Sequence, residues 1–186
     1  MQDDHRLQLL REIEARRPKV VFLSDPCVLW CQLTELNWPF MTPVKRGQLA
    51  WEGATHCDFS ALISKIQIHG GRAYAKEHPA KAKSWDRPSV LRLEIHEHVR
   101  RAKFDFCKFG MVSKVLRKPV RKRTRVQTNC DPVYQLLHEQ YCKEPRKHQL
   151  VQGCEGGELR SVYAQRYPCE FCQRVASAVA QYVKSI

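Results

Sequence analysis

Acidic residues are the scarce class in this chain. Nineteen Asp and Glu stand against 32 Lys and Arg, giving a net charge of +13 and a pI near 9.5. That imbalance favours a polyanionic partner, most often nucleic acid. The plainer alternative is a basic surface that only keeps the protein soluble. Long apolar runs are also missing. None approaches the roughly 20 residues needed to span a bilayer. The opening Met1-Gln2-Asp3-Asp4-His5-Arg6 lacks the basic-then-apolar order of a signal peptide. An intracellular protein is expected, with nucleus and cytoplasm not distinguished. There is no internal repeat and no low-complexity tract. Nine cysteines are present. In a reducing compartment they are expected as thiols, metal ligands or catalytic groups rather than disulfides. A length of 186 residues with 43% hydrophobic content suits a single domain with a real core over 1–186.

Leu7, Leu10 and Ile13 recur at helical spacing, which predicts a leading helix over 1–17 closed by Pro18. A strand follows at 19–24. The stretch 33–47 holds Pro39, Pro43 and Gly47 and reads as a loop; its Trp38, Phe40 and Met41 either cover a cleft or tuck under the domain. Ala54, Cys57, Ala61, Leu62 and Ile66 predict a helix ending at Gly70-Gly71, and 72–77 predicts a second strand. Strand, helix, strand makes a right-handed crossover with both strands parallel. Asp86 is expected to cap a helix with Pro88 in its first turn and Val90, Leu91, Ile95 and Val99 inward. Segments 104–109 and 123–128 read as an antiparallel pair flanking a basic hairpin loop at 113–125. Asp131-Pro132 opens a helix running to about residue 142. An irregular loop covers 143–166. The last helix begins near Pro168 and is expected to bury Cys172, Val175, Ala176, Val179 and Val183. The fold class is α/β, a three-layer Rossmann-like sandwich.

Three features carry chemistry. Ser24-Asp25-Pro26-Cys27-Val28-Leu29 follows the apolar run Val20-Val21-Phe22-Leu23. A buried parallel strand reads as such a run, and a thiol at its carboxyl end lies in the crevice where open α/β sheets bind ligands. Cys27 is therefore a candidate nucleophile; the alternative is a buried structural cysteine. Glu77 closes the next strand, on the same rim. Arg123-Thr124-Arg125 lies on a later strand. A thiolate can add to an electron-poor ring carbon, a carboxylic acid can hold and protonate the ring edge, and arginines can fork onto a carbonyl or phosphate.

This order resembles the second half of a cytosine-5 DNA methyltransferase, which has a Pro-Cys nucleophile after one strand, a Glu-Asn-Val glutamate after the next and an Arg-x-Arg on a later one. The Glu77-His78-Pro79 run, Ser84-Trp85, Cys107-Lys108-Phe109-Gly110, the Arg-Thr-Arg-Val-Gln-Thr-Asn stretch at 123–129, His148, Gly153 and Ala164-Gln165-Arg166-Tyr167-Pro168 resemble methyltransferase-like proteins of phages and mobile elements. The resemblance covers most of the chain from about residue 18. It implies that Cys27 attacks the sixth carbon of a base, that Glu77 holds and protonates its third nitrogen, and that Arg125 clamps its carbonyl. It also implies that S-adenosylmethionine supplies the methyl group, with Asp25 and Pro26 beside that donor. Asp25 stands where the family has the first proline of Pro-Pro-Cys, and Glu77-His78-Pro79 replaces Glu-Asn-Val. Nothing before residue 18 is glycine-rich, so the turn that lets backbone approach the donor is missing. The resemblance therefore implies a remnant, a fragment or half of a split enzyme. The open sheet edge would then be covered by the leading helix, a partner chain or self-association.

Other readings compete. Cys169-x-x-Cys172 has a zinc-knuckle spacer, with Cys142, His148 and Cys154 upstream, and zinc wants four nitrogen or sulfur ligands. Cys27 and Cys31 are spaced more loosely. A redox role for Cys169 and Cys172 is the weaker variant, because Glu170 opposes thiolate formation. The basic residues Lys114, Arg117, Lys118, Arg121, Lys122 and Arg123 suit sequence-independent contact with a nucleic-acid backbone, DNA above all. A nuclear localisation signal or a solvated loop are the alternatives. Trp30, Trp38 and Trp85 fit core positions or base stacking. His69, His78, His96 and His98 form no assignable set. A protein that has lost activity and only interacts is the last reading.

Overall fold

The computed structural model describes residues 3–30, 32–144 and 148–186. Helix α1 (Asp3–Arg16) leads into strand β1 (Val20–Ser24). A short helix α2 (Gln32–Asn37) and a 3-10 turn at Trp38–Phe40 precede the long helix α3 (Pro43–His69). Strand β2 (Ala73–Pro79) runs parallel to β1, with Val20 opposite Ala73 and Ser24 opposite Glu77. Helix α4 (Pro88–Leu91), strand β3 (Arg100–Asp105), strand β4 (Arg123–Thr128) and helix α5 (Asp131–Leu137) follow. A two-residue hairpin, β5 (Cys154–Glu155) and β6 (Glu158–Leu159), then α6 (Arg160–Tyr163) and α7 (Cys169–Ser185) complete the chain. The four-stranded sheet has the order β1-β2-β4-β3, with β4 antiparallel to both neighbours.

The two faces of the sheet follow from the two-residue period of its strands. Ala73 and Ala75 of β2, Ala102 and Phe104 of β3 and Val126 of β4 pack with Val133 and Leu137 of α5 and with Phe171, Val175 and Ala178 of α7. On the opposite face, Tyr74 packs with Cys57 and Ala61 of α3 and with Trp85, Val90, Leu93 and Val99. Helices thus cover both sides of a mixed sheet, in an α/β fold.

Several boundaries differ from the sequence reading. Segment 33–47 is not a loop. Pro43 sits in the first turn of α3, and the Thr42 side chain accepts a hydrogen bond from the Lys45 N–H at 3.2 Å, a cap-plus-proline start. Phe40 is 88% exposed and tucks under nothing. Arg87, not Asp86, occupies the N-cap position of α4, without a side-chain cap, and the helix gives way to a 3-10 turn at Arg92–Ile95; Leu93 is buried while Leu91 and Ile95 are exposed. The β3 strand ends at Asp105, because Phe106 and Phe109 reach the core from one 3-10 turn rather than from alternate strand positions. Gly110 closes that turn at φ 81°, where a Cβ would be strained. Helix α5 ends at Leu137, short of 142. Helix α7 starts where expected but buries Phe171, Val175 and Ala178, leaving Cys172, Ala176 and Val183 exposed. Phe171 sets that phase: it stacks on Phe104 at 5.6 Å and meets Phe106 edge-on at 4.9 Å.

Candidate functional site at the ends of the parallel strands

Beyond Ser24 the chain leaves β1 and turns across the sheet rim. This loop packs closely on α3: a Cβ built on Gly53 would fall 2.5 Å from Leu29 Cδ2. A cavity of about 280 Å³ opens there, lined by Ser24, Asp25, Pro26, Cys27, Val28, Glu77, His78, Pro79, Lys122, Gln165 and Tyr167. It lies outside the carboxyl ends of two parallel strands, where open α/β sheets place ligands. Cys27 and Glu77, expected on one rim, share it.

Glu77 is 3% exposed. The Tyr167 hydroxyl donates to its Oε2 at 2.6 Å and the Ser24 hydroxyl at 3.1 Å, with 2.8 Å between the two hydroxyl oxygens. Oε1 is buried and receives no hydrogen bond among the described residues. The Lys122 ammonium stands 3.9 Å from it, an ion-pair distance too long for a hydrogen bond. That ammonium also lies over the rings of Phe106, at 5.0 Å, and Tyr167, at 6.0 Å. One carboxylate oxygen is therefore held and the other is buried without a hydrogen bond among the described residues, beside a cation. Burial, then the charge and hydrogen bond of Glu77, push the Tyr167 phenol well above its ordinary range. Tyr167 therefore stays a donor.

The alternation of β2 sends its other side chains to the far face. Lys76 is fully buried; its ammonium pairs with Asp25 and lies 2.5 Å from Ser60 Oγ of α3. Ser60 donates to Asp25 Oδ2 at 3.0 Å. Asp25 is thus turned inward to neutralise a buried lysine. His78 Nδ1 lies 2.6 Å from Ser84 Oγ. Burial, aided by the charges of Lys76 and Lys122, pushes its pKa down to about 3, so the ring is neutral at pH 7.

Arg125 does not join Cys27 and Glu77. The register places Val126 opposite Glu77 and Arg125 opposite His78, so Arg125 projects on the other face, its guanidinium 5.2 Å from the centre of the Trp85 ring. Lys122, just before β4, reaches the cavity instead. From sequence, Lys122 belongs to the basic run and Gln165 and Tyr167 to the Ala164-Gln165-Arg166-Tyr167-Pro168 motif. Pro168 signals only the start of α7; nothing local signals that Tyr167 reaches Glu77 90 residues away.

The rest of the basic run divides. Arg123 forks onto Asp105 at 2.8 and 2.9 Å. Burial alone would raise that carboxyl, but hydrogen bonds from Arg123 and the Cys142 N–H outweigh it and hold Asp105 below the ordinary carboxylate range. Lys114 pairs with Glu158 at 3.1 Å. The Arg121 side chain donates to the Glu144 carbonyl at 3.2 Å. Arg117 and Lys118 are exposed on a turn closed by the Ser113 N–H donating to the Lys118 carbonyl at 2.8 Å.

The cysteines sort differently from the sequence expectation. Cys142 Sγ and His148 Nε2 lie 3.4 Å apart, and Cys107 joins them; the three candidate ligand atoms all fall within 4.8 Å of one another. Cys154 lies on β5, and Cys169 and Cys172 sit in the first turn of α7, all three exposed. These three do not join His148 in a metal-type group among the described residues. Cys31 lies outside the described residues.

No family model, no curated protein and no solved structure matches this chain. Among the described residues no helix is long and apolar enough to cross a membrane.

Proposed function

We propose that this protein binds nucleic acid, DNA above all, and that the Cys27–Glu77 cavity receives a nucleobase turned out of its strand. In this reading the chain is a divergent relative of the second half of cytosine-5 DNA methyltransferases. The observation that carries the proposal is the convergence of Cys27 with a buried carboxylate whose Oε1 is unsatisfied and faces the Lys122 ammonium. An acceptor beside a donor suits the edge of a pyrimidine, where a cytosine amino group neighbours acceptors. The Cys27 thiolate would add to the ring, the broken π bond's electrons would move to the ring edge, and the Lys122 ammonium would offset that negative charge while Glu77 accepts from the amino group. Arg125, on the far face, has no part in this arrangement. The exposed Arg117 and Lys118 would meet phosphates.

The donor set does not fit S-adenosylmethionine. Asp25, which the resemblance places beside that donor, is bound to Lys76 and Ser60. The other edge of β1 pairs with no strand among the described residues. No methyl-transfer step is therefore assigned to these residues. The test compares a short single-stranded oligonucleotide carrying one cytosine with the same strand made abasic at that position, read by fluorescence anisotropy. A base contact worth about 1–3 kcal/mol predicts a preference of roughly 5- to 150-fold for the cytosine strand. Glu77→Gln should abolish that preference and leave abasic binding unchanged. Equal affinities in the wild type would reject the base pocket and leave a backbone-binding module.

A further inference from the structure

We propose that Cys107, Cys142 and His148 bind a zinc ion that ties down the base of the basic hairpin. The three donors come from separate segments: Cys107 from the 3-10 turn after β3, Cys142 from the chain after α5, and His148 from the strap that returns toward the hairpin. Zinc–sulfur and zinc–nitrogen bonds of about 2.3 and 2.05 Å in a tetrahedron place a sulfur and a nitrogen about 3.6 Å apart, and two sulfurs about 3.8 Å. Cys142 Sγ and His148 Nε2 already stand 3.4 Å apart, and Cys107 Sγ is within 4.8 Å of both. Only a small closing movement separates this arrangement from the full geometry. Two thiolates and an imidazole select zinc over harder cations. They also cancel the ion's charge, which suits three half-buried side chains. Water completes the fourth position.

The surroundings fix the donors. The Cys142 N–H donates to Asp105 Oδ2 at 3.0 Å, while Arg123 holds the same carboxylate. The Asp105 N–H donates to the Gln140 carbonyl at 3.0 Å, and the Gln149 N–H to the Pro119 carbonyl at 2.8 Å. Cys107 stands before the hairpin and His148 pairs its strap against the hairpin's return, next to the Val120–Gln149 bridge. A metal here cross-links 107, 142 and 148 and so braces the turn that presents Arg117 and Lys118.

Cobalt titration of the reduced, chelator-treated wild-type chain tests the site. The expected result is one cobalt per chain with a thiolate charge-transfer band and tetrahedral ligand-field bands, both removed by added zinc. Cys107→Ser and His148→Ala should each weaken binding more than tenfold, whereas Cys154→Ser and Cys169→Ser should not. Absence of the charge-transfer band in the wild type would overturn the proposal. So would full cobalt binding by a Cys107→Ser, Cys142→Ser double variant, or an intact mass two units low from a Cys107–Cys142 disulfide in the freshly isolated protein. The wild-type titration gives its answer even where a variant does not fold.

Discussion

Replacing Asp25 with Ala removes the counter-charge of a lysine that has no access to water. The Lys76 side chain is 0% exposed and that of Asp25 only 6%; Ser60 is the neutral group left beside the ammonium. Breaking a buried pair from one side costs about 3–5 kcal/mol, because the surviving charge stays desolvated. For a chain of this length about 2–4 °C of melting temperature accompanies each kcal/mol, so the midpoint should fall by about 6–20 °C. Removing both charges is a different perturbation. Lys76→Met with Asp25→Leu exchanges the pair for apolar volume and should be near neutral. Urea unfolding of the wild type, Lys76→Met, Asp25→Leu and the double variant closes the cycle. The reasoning is refuted if Asp25→Ala costs less than about 1 kcal/mol, or if the double variant is as unstable as the single one. The first result would also return Asp25 to the pool of residues available for a ligand.

Other expectations follow from the same geometry. The folded pKa of His78 lies below its unfolded value, so the unfolded chain binds one more proton between them. Stability is therefore fully present above about pH 6.5 and falls on acidification by about 1.4 kcal/mol per pH unit towards the folded value. Urea unfolding of His78→Gln between pH 6.5 and 4.5 should show a flatter profile, and an unchanged slope would contradict the assignment. Lys122→Ala should lower affinity for single-stranded DNA and reduce its salt dependence. Arg125→Ala should leave DNA affinity within about twofold and instead lower stability through the lost contact with Trp85; the reverse pattern would restore Arg125 to the site. Calorimetry should detect no S-adenosylmethionine binding, and micromolar binding would show that the donor residues were misread. The edge of β1 that pairs with no strand among the described residues predicts self-association at tens of micromolar in light scattering, which a sharp monomer peak would exclude.

The parallel pair was legible because Val20-Val21-Phe22-Leu23 is a continuous apolar run and Gly70-Gly71 marks the end of the helix between the strands. The shared rim of Cys27 and Glu77 follows from strand direction alone. The fate of Arg125 was not legible. Its face depends on a register set by long-range pairing, and a one-residue shift reverses every side chain of β4. Asp25 read as a ligand contact because its partner, Lys76, lies 51 residues away and charge pairing at that distance has no local signal. The prolines misled at 33–47, where Pro43 follows the Thr42 cap in the first turn of α3 and so starts a helix rather than breaking one. The cysteine grouping failed for a related reason. Cys169-x-x-Cys172 is conspicuous in sequence, yet Phe171 occupies the inward position and turns both thiols to solvent, while Cys107 and Cys142 meet only because β3 and α5 end at the same corner.

The most direct test of the nucleobase cavity is the alkylation rate of Cys27, read peptide by peptide by mass spectrometry, with a cytosine-bearing oligonucleotide or its abasic counterpart bound. A base seated against Glu77 and Lys122 would cover the thiol, and the cytosine strand should slow Cys27 alkylation about tenfold while the abasic strand leaves it unchanged. The same rate with both strands at saturation would contradict the account.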